Sequence, residues 1–425
     1  MIQETAHRRP RAATVSALTL LLAAVSLNVV VGGDWPGWRG SNRDGWAAGE
    51  RIPTGLNATP SVLWRKSIGH GYAAPVVAAG KLVYLDDTGG KETAHCIEAA
   101  TGKEVWAEAY HENYADEFEP GPRCTPLING DRVYVQSCRG EFRCLNLADG
   151  STRWRFHFND HGAFWVPEKN SNIGAANRRG NSGSPVIDGD RVFVQVGGTN
   201  NTSIMAFDKR TGALAWKSQN DLTCYSSLAW GTLGGRRQVV AATCEGLLGL
   251  ATTDGSLLWR VPFKTGANRN VLTPIIDGDT VNFSSHTTGF RRTRIATAGE
   301  GQEVKDDWFN REVRINLSTP VRVGEHFYGV GPDALKVFLC IDRRTGAVAW
   351  SQPGYGLVAA VITDGERLLV LMDSGECRIV AADPAQYREL GRFQACGKSY
   401  VHPALAQGVL YVRDARELVA YTLNP

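Results

Sequence analysis

Apolar residues in this chain come in short alternating runs that stop at small turn residues, with no sustained helical period. Thr125-Pro126-Leu127-Ile128 stops at Asn129-Gly130 and resumes as Val133-Tyr134-Val135. Ser184-Pro185-Val186-Ile187 stops at Asp188-Gly189 and resumes as Val192-Phe193-Val194, and Thr273-Pro274-Ile275-Ile276 stops at Asp277-Gly278. Asn-Gly and Asp-Gly between β-rich runs mark tight hairpins, because both central turn residues must tolerate positive φ. Thr319-Pro320-Val321 and His402-Pro403-Ala404 are weaker copies. Pro heads each first strand, where its missing N–H costs least.

A second phrase follows each hairpin: a Thr-Gly or Asp-Gly turn, then Trp four residues after the Gly. Its copies are Gly102 to Trp106, Gly150 to Trp154, Gly212 to Trp216, Gly255 to Trp259 and Gly346 to Trp350. Self-similarity at ~40–50 residues marks a solenoid or a propeller. Each unit is two hairpins, with the Trp on the fourth strand. The fourth-strand anchors number eight: Trp64, Trp106, Trp154, Trp216, Trp259, Trp308, Trp350 and, degenerate, Phe393. Trp64 has no three strands before it, and the last unit (402–423) has no fourth strand after it. The pattern therefore predicts an all-β, eight-bladed β-propeller of four-stranded antiparallel blades. Its last blade is closed by the N-terminal strand, which removes exposed sheet edges. A bulky aromatic at one fixed repeat position reads as inter-blade packing, not as a ligand cage.

The 425 residues suffice for one large β domain, and a net charge of +3 gives no reason to expect nucleic acid. Residues 1–33 read as a targeting segment: Arg8, Arg9 and Arg11, then apolar Val15 to Val31, then Val31-Gly32-Gly33 for cleavage. The expected organisation is 1–33 signal peptide or signal anchor, 34–60 N-terminal extension and 61–425 propeller. Export to the periplasm, envelope or medium follows, and an uncleaved apolar segment would instead tether the chain to a membrane. The nine Cys are odd in number. Cys96, Cys144 and Cys340 stand ten residues before a Trp, where Ala206 stands in another unit, so they read as small core residues. Cys124 with Cys138, and Cys224 with Cys244, flank turns and are candidate disulfides. No Cys-x-x-Cys pair points to a metal.

Three segments break the repeat: His111 to Arg123, Phe158 to Ser182 and Ser284 to Gln302. All fall in the two loop classes that share one propeller face, which suggests that this face binds something. The second carries Phe164 and Trp165; the third carries His286, Arg291, Arg292 and Arg294. Residues just ahead of the first strands should ring the channel mouth there: His70, Tyr72, Arg123, Asn181, Tyr225, Asn270, Lys398 and His402. Such a ring suits a small-molecule pocket or a hydrated channel. The acidic residues Glu112, Asp116, Glu117 and Glu119 read as a solvated run, with Ca²⁺ binding as the alternative. No nucleophile elbow, zincin motif or P-loop occurs.

The Thr-Gly-x-x-x-Trp phrase after strands such as Phe207-Asp208 and Ile341-Asp342 resembles the tryptophan docking motif of quinoprotein-type (PQQ-like) propellers. Asp34-Trp35-Pro36-Gly37-Trp38-Arg39-Gly40 looks like the opening of secreted bacterial PQQ-like repeat proteins. The resemblance covers about residues 60–425 and implies two possible roles. PQQ-dependent dehydrogenases hold PQQ and Ca²⁺ over the channel, where Arg123, Asn181, Asn270 and Lys398 would meet the cofactor carboxylates. BamB-type propellers are non-catalytic protein-binding scaffolds. This chain has no adjacent Cys pair and no lipid-acceptor Cys after its apolar segment. The expectation is an exported, monomeric, non-catalytic scaffold that binds a protein or polymer through His70, Tyr72, Phe164, Trp165, Tyr225 and His402. The alternative is a PQQ-dependent oxidation of an alcohol or sugar.

Overall fold

A computed structural model describes residues 1–2, 33–56, 60–115, 119–163, 180–198, 200–265, 268–299, 301–332 and 334–423. Eight four-stranded antiparallel sheets follow one another along the chain. Blade 1 is Val76–Ala78, Lys81–Thr88, Lys91–Glu98 and Glu104–Glu112; blade 2 runs from Leu127–Asn129 to Thr152–His157. Blades 3 to 7 begin at Val186–Asp188, Ala229–Leu233, Ile275–Asp277, Val321–Val323 and Ala359–Thr363. Blade 8 is Ala404–Ala406, Val409–Arg413 and Glu417–Thr422, completed by Ser61–Ser67 from the other end of the chain, with Trp64 opposite Ala420. The eight-bladed propeller and its closure are as the repeat predicts. No helix of the described residues is long and apolar enough to cross a membrane.

The Gly–Trp phrase is the joint between blades. The Trp64 indole N–H donates to Ala99 O at 2.9 Å, Trp106 to Leu147 O at 2.8 Å, Trp308 to Arg343 O at 2.8 Å and Trp350 to Asp383 O at 3.0 Å. Each acceptor is a corner carbonyl of the next blade. The turn Gly of that next blade lies flat on the ring: a Cβ at Gly212 would meet Trp154 Cδ2 at 2.6 Å, and one at Gly346 would meet Trp308 Cε3 at 2.5 Å. Each phrase therefore receives the preceding Trp and offers its own to the next blade. Across the sheet four of these Trp face a small residue, Cys96↔Trp106, Cys144↔Trp154, Ala206↔Trp216 and Cys340↔Trp350, so these thiols fill core positions, whereas Trp308 faces Arg292. Blade 5 lacks the docking Gly, and Trp259 turns to Gln238 Oε1 at 2.5 Å instead.

The Ser or Thr just ahead of the first strand, followed by Pro except at Ser227-Leu228, forms a second joint. Thr125 Oγ1 accepts from Ala74 N, Ser184 Oγ from Thr125 N, Ser227 Oγ from Ser184 N and Thr319 Oγ1 from Thr273 N. These bonds link neighbouring first strands and satisfy buried N–H groups that have no sheet partner on the channel side.

Ser284 to Gln302 is not a loop, contrary to the sequence expectation. Gly289–Ala298 and Gly301–Asn310 form the longest hairpin of the fold. Its arginines are held there by carboxylates: Arg291 bonds Asp306, Arg294 bonds Asp307, and Arg292 bonds Asp277 at 2.7 Å. Asp277 also receives Arg343 at 2.6 Å. Burial would raise its carboxyl pKa, but the two guanidiniums hold it below the ordinary value.

Residues 34–52 pass through the ring of first strands. Trp35 pairs antiparallel with Val77 of blade 1, and Pro36 O accepts Ile128 N of blade 2. Trp38 Nε1 donates to Thr273 Oγ1 at 2.9 Å, Arg43 Nη1 to Pro185 O at 2.7 Å and Arg39 Nη2 to Pro320 O at 2.8 Å. Trp46 bridges Thr363 of blade 7, and the Glu50 carboxylate accepts Gly408 N of blade 8 at 2.7 Å. Blades 3 and 6 lie nearly across the ring from one another, so the segment spans the channel. Its contacts at Ala79, Asp364 and Gly408 put it on the face of the first-to-second-strand hairpins.

Candidate functional site

The face opposite that segment carries the loops that lead into the first strands. On its arc over blades 8, 1 and 2 the described residues gather one aromatic and cationic cluster. Tyr72 stacks on Tyr400 with ring centroids 6.3 Å apart. The Arg123 guanidinium lies 5.3 Å from the Tyr72 centroid and 5.0 Å from that of Tyr114, while its Nη2 donates to Glu119 O at 3.0 Å. Lys398 Nζ sits 5.2 Å over Tyr400. His70 Nδ1 meets Glu119 Oε2 at 3.1 Å. Cation–π contacts hold the rings and cations in register before any ligand arrives. Tyr400 remains 39% exposed and Lys398 is exposed, so the cluster faces solvent.

Four expected rim residues, His70, Tyr72, Arg123 and Lys398, are therefore brought together. Three others lie beneath the rim, and the expectation that they ring an open mouth is corrected. Asn181 and Asn270 are buried, and Asn270 Nδ2 donates to Thr243 O at 2.7 Å. His402 is buried against Trp35 and Trp38, with centroids 6.1 and 5.5 Å away, and its Nδ1 faces Pro403 O at 2.9 Å. Burial, with repulsion from Arg39, pushes the His402 pKa down to about 3, so it stays neutral. Tyr225 is half-buried, its N–H bonded to Asn270 O at 3.1 Å. Phe164, Trp165, Asp116 and Glu117 lie outside the described residues, as do residues 3–32 of the targeting segment.

Sequence reasoning missed Tyr400 and Tyr114, which complete the cluster. The available signal was an aromatic two residues after Lys398 in a loop with no repeat role. It also missed the channel segment, although Trp35, Trp38, Arg39, Arg43 and Trp46 match no repeat position.

The fit to a quinone with Ca²⁺ is poor among the described residues. The two cations, Arg123 and Lys398, rest on tyrosine rings at the rim, while Asn181 and Asn270 are buried beneath it. No three His, Cys, Asp or Glu side chains among the described residues gather as metal ligands. An open pocket of about 500 Å³ lies further out on the same face, between Glu141, Arg155, Phe156, His157 and the 3-10 turn Phe158–His161.

The profile of the family described as outer membrane protein assembly factor BamB matches residues 49–173 and 174–352. No curated protein matches the sequence. Among solved structures, BamB from Moraxella catarrhalis is similar over 86% of this chain and 98% of its own, at 14% identity and a TM-score of 0.60. The computationally designed Ika8 protein is similar over 85% of this chain and 98% of its own, at 11% identity and a TM-score of 0.58. The quinohemoprotein alcohol dehydrogenase of Comamonas testosteroni aligns over 92% of this chain and 80% of its own, at 12% identity and a TM-score of 0.48. At these identities the likenesses to BamB and Ika8 bear on the fold alone.

Proposed function

The chain belongs to the family of the outer membrane protein assembly factor BamB, and from that premise we propose that it is an exported, non-catalytic scaffold. It holds a protein partner on the rim built by Tyr72, Tyr400, Arg123, Lys398 and His70. The observation that carries this reading is exposed Tyr400, stacked on half-buried Tyr72 and flanked by two cations. Most other exposed large apolar side chains lie on the outer strands, Val105, Leu214, Leu257 and Val348 one to a blade and Val62 beside Leu63 on the closing strand. Tyrosine and arginine dominate the energetic centres of protein interfaces, because they bury much area at low entropic cost and carry a polar end. The channel segment supports the same reading from below, since it fills the axis from the hairpin face and leaves the rim as the accessible surface.

The test is in-cell photo-crosslinking from position 400 in the full chain, with partners identified by mass spectrometry and compared with a Tyr72→Ala/Tyr400→Ala variant. One reproducible partner should appear, and the purified variant should bind it at least tenfold more weakly, on the order of 1.4 kcal/mol or more, with an unchanged unfolding midpoint. Equal affinity of variant and wild type would remove the rim from the function. N-terminal sequencing of the mature protein tests export. The dehydrogenase reading has no supporting observation in the residues described.

A further inference from the structure

We propose that Cys224 and Cys244 form a disulfide that pins two loops of the insertion-bearing face together at blade 4. Packing explains Cys96, Cys144 and Cys340, which sit opposite tryptophans, but it does not explain this pair. The two sulfurs are 3.0 Å apart, closer than the van der Waals contact of two sulfur atoms. They form a small cluster of their own with Leu222, away from the large blade cores. Both thiols converge on Asn268 O, at 3.4 and 3.0 Å. Each Cys lies one residue past an antiparallel bridge, Thr223↔Thr243, with Cys244 N donating to Leu222 O at 2.9 Å, so the two are diagonal neighbours whose side chains leave the same face of the strand pair. Closing to a bond of about 2.05 Å requires an approach of only about 1 Å.

The chemistry is exchange with a disulfide oxidant. One Cys thiolate attacks the oxidant, forming a mixed disulfide and releasing one thiol. The second Cys thiolate then attacks the mixed disulfide and releases the second thiol. The protein loses two electrons and two protons, and the oxidant is reduced to two thiols. Burial keeps the Cys224 thiol protonated in the folded protein, so exchange takes place before the loops close over it, during folding. The bond ties the loop before Ala229–Leu233 to the turn between Arg236–Thr243 and Gly246–Ala251. It fixes Tyr225 and is independent of the partner proposal.

The full chain is refolded with oxidised glutathione, unfolded in iodoacetamide without reductant and digested with trypsin. The peptides 218–236 and 238–260 each contain one cysteine. They are expected as one linked species that a reductant separates. Full alkylation of both would overturn the proposal. A second measurement compares protein refolded with oxidant or with reductant: the oxidised form should unfold about 3–6 °C higher, and Cys224→Ser should abolish the difference. An equal difference in Cys224→Ser would also refute the assignment.

Discussion

Replacing Gly212 by Ala tests whether the Gly–Trp joint is what holds neighbouring blades. Gly212 has φ +73°, and an added methyl would sit 2.6 Å from Trp154 Cδ2 and 2.8 Å from Cγ. The ring cannot easily give way. Its N–H is bonded to Lys209 O at 3.3 Å, and Phe142 packs edge-on at 5.2 Å. Positive φ costs an L-residue ~1–2 kcal/mol, of which stiffening of the unfolded chain returns ~0.4–1. Forcing a methyl into a packed contact adds ~1–3 kcal/mol. Gly189, in a hairpin turn of the same blade, is the control. It has φ +56° and nothing within 4 Å of an added Cβ. Gly189→Ala should therefore cost about 1 kcal/mol and Gly212→Ala about 3 kcal/mol. Urea unfolding followed by far-UV circular dichroism measures both. If the two variants cost the same within about 0.5 kcal/mol, the Gly is there only for the turn, and the joint as described is wrong.

Trp106→Phe keeps an aromatic six-membered ring but removes the pyrrole half of the indole and its 2.8 Å bond to Leu147 O; thermal unfolding should show a loss of about 1–2 kcal/mol or more. Burial pushes Glu92 up to about 7, against hydrogen bonds from Ser137, Cys138 and Tyr110. A raised carboxyl contributes stability below its unfolded pKa of about 4.5, and that contribution is lost as pH rises through 7. Glu92→Gln should thus be up to about 3 kcal/mol more stable than wild type at pH 8 and near-equal at pH 4.5, read from urea midpoints at both pH values. Trp35 is 1% exposed, and Trp35→Ala should cost about 3–5 kcal/mol. The same variant wets His402, whose pKa should climb from about 3 toward the ordinary range in an imidazole NMR titration.

The blades were legible in the sequence because their signals are local. A hairpin needs Asn-Gly or Asp-Gly, and a docking turn needs Gly at a fixed distance from Trp. Even so, the spacing revealed the Trp without revealing that the Gly beneath it belongs to the next blade. What was not legible depends on residues far along the chain. His402 reads as a mouth residue until Trp35 and Trp38, more than 360 positions earlier, are found stacked on it. Arg291, Arg292 and Arg294 read as an exposed basic loop, because nothing local shows that Asp306, Asp307 and Asp277 neutralise them. At the rim, Tyr72, Arg123 and Lys398 were found from position alone, whereas Tyr400 had no repeat position to betray it.

The channel-spanning segment also orders events in time. Arg39 finds Pro320 only 281 positions downstream, and Glu50 finds Gln407 357 positions downstream. The segment can therefore meet Val77 of blade 1 and Ile128 of blade 2 early, but its bonds to blades 6, 7 and 8 must wait until those blades exist. Contacts of such separation close slowly, after local hairpins have formed. Arg39 has no Pro320 carbonyl to bond until blade 6 exists, and any chain shortened before blade 6 leaves that bond unmade. Its full set of contacts, from Val77 of blade 1 to Gly408 of blade 8, is complete only when the ring is complete.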